Sequence, residues 1–188
     1  MVAAVVAVVL VLVLALLTAR VDGISMSPTL RDGDALVVDK LGVRFNAPQR
    51  GDIVVALEPG GAAFVKRVIA VPGDSIEIDG AGPRPVVLIE PGGKGPWRRL
   101  EEPYTGASWN RRDFCCDSHG FDVPGAPQPL RVPPDRFFLL GDNRDFSTDS
   151  RRYGLFRRDQ ITGRVLFRWW PLQRAGAIPG WPSLPPAS

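Results

Sequence analysis

Three stretches of this 188-residue chain concentrate side chains able to do chemistry. The first is Gly23-Ile24-Ser25-Met26-Ser27-Pro28-Thr29-Leu30, where a Ser is followed by a Pro-stiffened turn. A hydroxyl held that way at the mouth of a sheet can act as a nucleophile; in an ordinary turn the same Ser and Thr side chains cap backbone groups. The second is Phe64-Val65-Lys66-Arg67-Val68-Ile69. Strand alternation puts Lys66, Val68 and Ala70 on one face and Val65, Arg67 and Ile69 on the other, so one of the two cations points toward an apolar face. An ordinary Lys, with a pKa of about 10.4, is neutral in only about one molecule in 2,500 at pH 7. Burial that lowers this by about three units would make it a general base, whereas on an exposed edge strand a Lys only resists aggregation. The third is Gly141-Asp142-Asn143-Arg144-Asp145-Phe146-Ser147-Thr148-Asp149-Ser150-Arg151, a dense polar run directly after Phe137-Phe138-Leu139-Leu140. So many charged and hydrogen-bonding groups behind a buried strand form a network that supports a site, where an isolated polar loop would simply be solvated.

The elements that must position these groups are strands. Short apolar runs predict strands at Ala35–Val38, Ile53–Leu57, Ala63–Ala70, Ser75–Ile78, Val86–Glu90, Arg136–Leu140 and Gly163–Arg168. Turn signals separate them: Arg-Asp-Gly-Asp at 31–34, Arg-Gly-Asp at 50–52, Val-Pro-Gly-Asp at 71–74 and Gly-Asp-Asn at 141–143. With 20 Gly and 19 Pro spread along the chain, long helical bundles are excluded and a turn-rich, mainly β fold is expected. Residues 80–130 are denser in Pro and Gly than their flanks and read as an inserted subdomain, splitting the main β domain into 20–79 and 131–171. The Pro-rich tail, 172–188, suits neither a helix nor a central strand.

Val2 to Leu17 is an unbroken run of sixteen Val, Ala and Leu residues, extended by Thr18 and Ala19 before Arg20. Eighteen helical residues span roughly 27 Å, close to the hydrocarbon thickness of a bilayer, so residues 2–19 are expected to form a transmembrane anchor. A cleaved signal peptide and a buried core helix are the rivals, but the signal peptide would want a basic n-region and a better cleavage signal than Leu17-Thr18-Ala19. The formal net charge of +3 is dispersed over 23 basic and 20 acidic residues without a basic block, which excludes dedicated nucleic-acid binding. A single His speaks against multi-His zinc centres and against a Ser-His-Asp triad.

Four motifs occur in order: Ser25-Met26-x-Pro28-Thr29-Leu30; Gly51-Asp52-Ile53-Val54; Lys66-Arg67-Val68-Ile69-x-x-Pro72-Gly73-Asp74; and Gly141-Asp142-Asn143-Arg144-Asp145-x-Ser147-x-Asp149-Ser150-Arg151. Together they resemble the boxes of type I signal peptidases, the membrane-bound Ser-Lys proteases that remove signal peptides from exported proteins. The resemblance runs from residue 1 to about 170. It implies an antiparallel β catalytic domain with a smaller inserted subdomain, behind one N-terminal transmembrane helix. It also implies Ser25 as nucleophile and Lys66 as general base, a pairing that needs neither His nor cofactor nor metal. By the same resemblance Ser147 would orient the Lys66 amine, Asp149 and Arg151 would brace the loop as a pair, and Met26, Leu30, Phe64 and Val65 would line shallow pockets for small substrate side chains. The substrate would add as an extended strand beside 22–25 and the strand leading to Lys66. The implied partners are exported preproteins and membrane lipid, with the catalytic domain on the extracytoplasmic side of the cell membrane.

This chain departs from the family pattern in two places. Gly23 stands where many Gram-negative members carry a Ser that donates to the oxyanion, though Gram-positive-type members share the Gly; Phe146 replaces a more usual Asn. A specialised pilin or conjugation-factor peptidase and an inactive signal-peptide-binding relative are the alternative functions. Self-cleaving Ser-Lys repressors are disfavoured by the anchor and the last box. Cys115-Cys116 leaves open a vicinal disulfide, two free thiols or intermolecular pairing, and with His119 it matches no common zinc spacing. Trp169-Trp170 suits either a membrane interface or core packing.

Overall fold

The computed structural model describes residues 18–105, 109 and 128–178. The apolar run through Leu17, the Cys115-Cys116 pair, His119 and the end of the Pro-rich tail lie outside the described residues.

Among the described residues, twelve strands make two antiparallel sheets. The larger, eight-stranded sheet has the order β1 (Thr18–Arg20), β2 (Ala35–Asp39), β11 (Ile161–Trp170), β3 (Ile53–Leu57), β4 (Ala63–Ala70), β9 (Arg136–Leu140) and β10 (Phe156–Arg157), with β12 (Gly176–Ala177) pairing onto β11. The smaller sheet has the order β7 (Arg98–Arg99), β6 (Val86–Glu90), β5 (Ser75–Asp79) and β8 (Leu130–Arg131). Two one-turn helices complete the frame, α1 (Gly42–Phe45) and α2 (Ser150–Tyr153). The expected strands in the middle of the chain form within one residue of the bounds that hydrophobic patterning predicts, β2 and β5 each running on to an Asp. The last one extends two residues further at each end because three register irregularities let it follow β2 and β3 around the sheet's curvature. β1, β7, β8, β10 and β12 have only two or three residues each, too few to show alternation in sequence.

Two sequence expectations are corrected. Thr18 and Ala19, assigned to the anchor, belong to β1, where they pair with Val37 and Leu36. The smaller sheet begins at Ser75 rather than at residue 80 and ends at Arg131, because β5 hairpins with β6 and takes β8 on its other edge. Nor is this sheet a separate unit. Ile76, Ile78, Val87, Ile89, Leu130 and Val132 share one core with Ile69, Ala70, Phe138 and Leu140 of the larger sheet. Among the described residues no helix is long and apolar enough to cross a membrane.

β4 carries an unusual load. Alternation predicts one inward cation, yet both Lys66 and Arg67 are buried, 3% and 0% exposed. Arg67 is accommodated by a two-bond pairing with Asp142, at 2.8 and 2.7 Å, and by donation to the Gly51 carbonyl. The pair bolts the middle of β4 to the loop leaving β9, alongside the Arg67–Leu140 backbone pairing. Removing one member strands a buried charge, so Arg67→Met is expected to destabilise the protein by about 3–5 kcal/mol in urea unfolding of the detergent-purified chain. The double variant Arg67→Met/Asp142→Leu should recover much of that loss.

Candidate active site

The turn bearing Ser25 follows β1. Gly23 opens it with a φ of 90°, the left-handed region where a side chain would be strained, and its N–H donates to Asp32 at 2.8 Å. This backbone demand favours glycine at position 23. The turn closes through Ser27 N–H to the Ile24 carbonyl (3.0 Å) and Leu30 N–H to the Met26 carbonyl (2.9 Å). Met26 and Leu30 drive into a core with Val21, Leu36, Val38 and Ile53 and are fully buried. They therefore fix the turn from beneath and do not line a substrate pocket. Of the four residues expected in that role, the half-buried Phe64 and Val65 alone reach a surface a substrate can touch.

Lys66 comes from β4, and its Nζ donates to Ser25 Oγ at 2.9 Å and to the Val65 carbonyl at 3.0 Å. The amine also lies 4.6 Å from the Phe64 ring centroid. It makes no ion pair among the described residues, although Asp149, Glu58 and Asp142 act on it from a distance. Burial is the largest influence and favours the neutral amine; the three carboxylates oppose it and Arg151 assists it, leaving a pKa lowered to about 8. At pH 7 roughly a tenth of such amines are neutral, about two hundred times the fraction for an exposed Lys.

The polar loop 141–151 encloses the pair. Asn143 grips the nucleophile turn twice, its backbone N–H donating to the Ser25 carbonyl (3.0 Å) and its side-chain amide to the Ile24 carbonyl (3.2 Å). Asp149 accepts from Gly141 N–H at 3.0 Å and from Arg151 Nε and Nη2 at 2.9 Å each. Burial works to raise the Asp149 pKa, but the Arg151 guanidinium and the Gly141 N–H prevail and hold it below the ordinary carboxylate value. Asp149 and Arg151 thus pair within the loop, and the Ser147 hydroxyl adds to what favours the Asp149 carboxylate. Ser147 makes no hydrogen bond to the Lys66 amine, whose bonds go to Ser25 and to its own strand.

Several contributors had no signal of their own in the sequence. Glu102 pairs through both carboxylate oxygens with the guanidinium of the buried Arg144, whose Nε donates to the Gly141 carbonyl at 3.0 Å. Trp109 lies beneath Arg144 at 4.6 Å. Glu58 accepts from the Tyr153 hydroxyl at 2.6 Å, beside Phe64 and Phe156. These residues come from the strand before Lys66, from the smaller sheet's surroundings and from α2, and only folding brings them to the site. Trp169 and Trp170 are 43% and 48% exposed and tilt against each other, so core packing is not their role.

The site thus sets a hydroxyl against a buried amine that makes no ion pair among the described residues. Comparison with known proteins places it more closely. The family model described as "Signal peptidase, peptidase S26" matches residues 1–170. Signal peptidase IB of Staphylococcus aureus is 35% identical over 155 residues, covering 80% of this chain and 76% of the relative. Signal peptidase I of Leptolyngbya laminosa is 35% identical over 167 residues, covering 82% and 68%. A crystal structure of a signal peptidase I from Enterococcus faecalis V583 aligns at 28% identity with a TM-score of 0.44, covering 63% of this chain and 97% of that one. The chain belongs to the signal peptidase family, peptidase S26, and is an enzyme of that family.

Gly141 offers a test of how tightly the loop is set against the nucleophile turn. A Cβ there would lie 2.5 Å from the Ser25 carbonyl oxygen and 2.2 Å from Ser147 Oγ. Gly141→Ala must push the Ser25 turn outward, so reaction of Ser25 with an acylating active-site probe is expected to slow at least tenfold. The thermal midpoint should change by only a few degrees.

Proposed function

We propose that this enzyme is a membrane-anchored endopeptidase that removes N-terminal signal peptides from exported preproteins, with Ser25 as nucleophile and Lys66 as general base. The observation that carries this reading is the Lys66 amine, buried, free of any ion pair among the described residues and 2.9 Å from Ser25 Oγ. In the first step neutral Lys66 takes the Ser25 hydroxyl proton as Oγ bonds to the scissile carbonyl carbon. The resulting ammonium returns that proton to the leaving amine as the peptide C–N bond breaks. In the second step Lys66 takes a proton from water, whose oxygen attacks the acyl-enzyme, and gives it back to Ser25 Oγ as the acid departs.

The developing oxyanion needs a donor. Ser25 N–H supports this role, since it donates to no group among the described residues. An extended substrate has an edge to join: β9 pairs with β4 only from Arg67 onward, leaving Ala63–Lys66 paired on the β3 side alone. Phe64 and Val65 on that edge would meet the small side chains before the cleavage site. Asp149 and Arg151 keep the loop in place, and Ser147 assists with its hydroxyl beside Gly141 and the Ser25 carbonyl, where it favours the Asp149 carboxylate. The apolar run 2–17 would anchor the chain by a single span, with the catalytic domain on the extracytoplasmic side, where preproteins emerge.

The test is cleavage of a panel of unrelated preproteins in detergent or lipid. Cuts after small-x-small sites are expected, abolished in Ser25→Ala and Lys66→Ala and retained in Ser27→Ala. Turnover surviving in Ser25→Ala refutes the nucleophile. Cleavage of a single preprotein alone points to a specialised peptidase, and binding without turnover to an inactive relative. Because only the neutral amine can take the proton, kcat/KM of the free enzyme should rise as pH increases through about 8. Glu58 favours the ammonium form, so Glu58→Gln should move this profile to lower pH.

A further inference from the structure

A cavity of about 720 Å³ opens between α1 and the β9–β10 edge, apart from Ser25 and Lys66. Its lining sets four arginines, Arg44, Arg136, Arg157 and Arg158, against two aspartates, Asp135 and Asp159. Arg157 is held by Asp159, and Arg158 donates to the Val43 and Asn46 carbonyls. The guanidinium groups of Arg44 and Arg136 make no hydrogen bond or close ion pair among the described residues, although Arg136 acts on Asp159 from a distance, and four arginines against two aspartates leave the cavity an excess of positive charge.

The element above this cavity is amphipathic in an unusual sense. Val43 of α1 points into the core, whereas Leu41 and Phe45, four residues apart and on one face, are 65% and 85% exposed. A small soluble anion would use the arginines and give no reason for the two apolar side chains. A molecule with an anionic head and apolar chains uses both. The run of apolar residues in the sequence ends at this end of the sheet: Thr18 pairs with Val37, so β1 begins toward Asp39, from which the chain turns into α1. Across the sheet, Asp39 pairs with Arg164, Arg164 with Val54 and Val54 with Lys66, so α1 leaves the sheet at the level of the catalytic lysine.

We propose that this cavity binds the phosphate headgroup of an anionic phospholipid, with Leu41 and Phe45 entering the acyl region. The site rests in part on the membrane-anchored reading, and the experiment separates the two. Full-length protein in neutral detergent is titrated with phosphatidylglycerol, phosphatidylcholine and inorganic phosphate, and bound lipid is read by native mass spectrometry. Phosphatidylglycerol should bind in preference to phosphatidylcholine. Arg44→Gln and Arg136→Gln should each weaken it roughly fivefold, a loss on the scale of one basic residue at an anionic surface. Phe45→Ser should weaken lipid binding too, with cleavage of a short soluble peptide unchanged in all three variants. Equal binding of the two lipids, or a preference that survives Arg44→Gln/Arg136→Gln, overturns the proposal. Displacement of lipid by equimolar inorganic phosphate overturns it in favour of a small-anion site. Loss of preference only in Trp169→Ala/Trp170→Ala overturns it by moving the contact to the other end of β11. A wild type that needs no detergent yet keeps the preference refutes the anchor while supporting the site.

Discussion

The rest of this structure depends on keeping one buried ammonium without a counterion. Four cations are buried among the described residues: Lys66, Arg67, Arg144 and Arg151. The three arginines each have a carboxylate in direct contact: Asp142, Glu102 and Asp149 respectively. Lys66 has none in contact, so desolvation outweighs the distant pull of Asp149, Glu58 and Asp142 and its proton is loosened. Every carboxylate close enough to reverse this is already committed, Asp142 to Arg67, Asp149 to Arg151 and Gly141 N–H, and Glu58 to the Tyr153 hydroxyl. A carboxylate released from its partner would be free to stabilise the ammonium and silence the base. The ion pairs of the site thus matter less for the stability they add than for the charge they withhold from Lys66.

The same pairs place the nucleophile. Arg67 joins β4 to the start of the polar loop; Arg144 hangs the Gly141 carbonyl from Glu102; Arg151 holds the Arg144 carbonyl and Asp149 together. Asn143 then carries this rigidity to the Ser25 turn, which is pinned from below by Met26 and Leu30. Glu102 and Trp109 belong to the segment between β7 and β8, so the smaller sheet contributes to the geometry of a site to which it lends no reacting group. Its common core with Ile69, Ala70, Phe138 and Leu140 makes that contribution firm.

Legibility in the sequence followed locality. The longer strands were readable because each is a continuous apolar run bounded by Gly or Asp turns, and the turn at Gly23 through Leu30 was readable from Ser and Pro spacing. Strands of two or three residues were not, since their existence depends on a neighbour offering an edge. Met26 and Leu30 were placed at the substrate by the family resemblance. The tight closure of the turn sends them into the core instead. Ser147 was expected on Lys66, but the amine's reach along its own strand is satisfied by Val65.

By itself the sequence determined which atoms are available: a Ser in a stiff turn, a Lys on an apolar strand, a polar loop dense in Asp and Arg, and no second His to offer another mechanism. It also determined that these groups sit on β elements, because alternation and turn chemistry are local properties. Only the tertiary structure decided that both cations of β4 are buried, which one is paired and which is left bare. That decision depends on Asp142, Asp149, Glu58 and Glu102, residues far from Lys66 in the chain, and on the low-dielectric surroundings that only packing creates. A pKa is a property of surroundings, and surroundings are written in no single stretch of the chain.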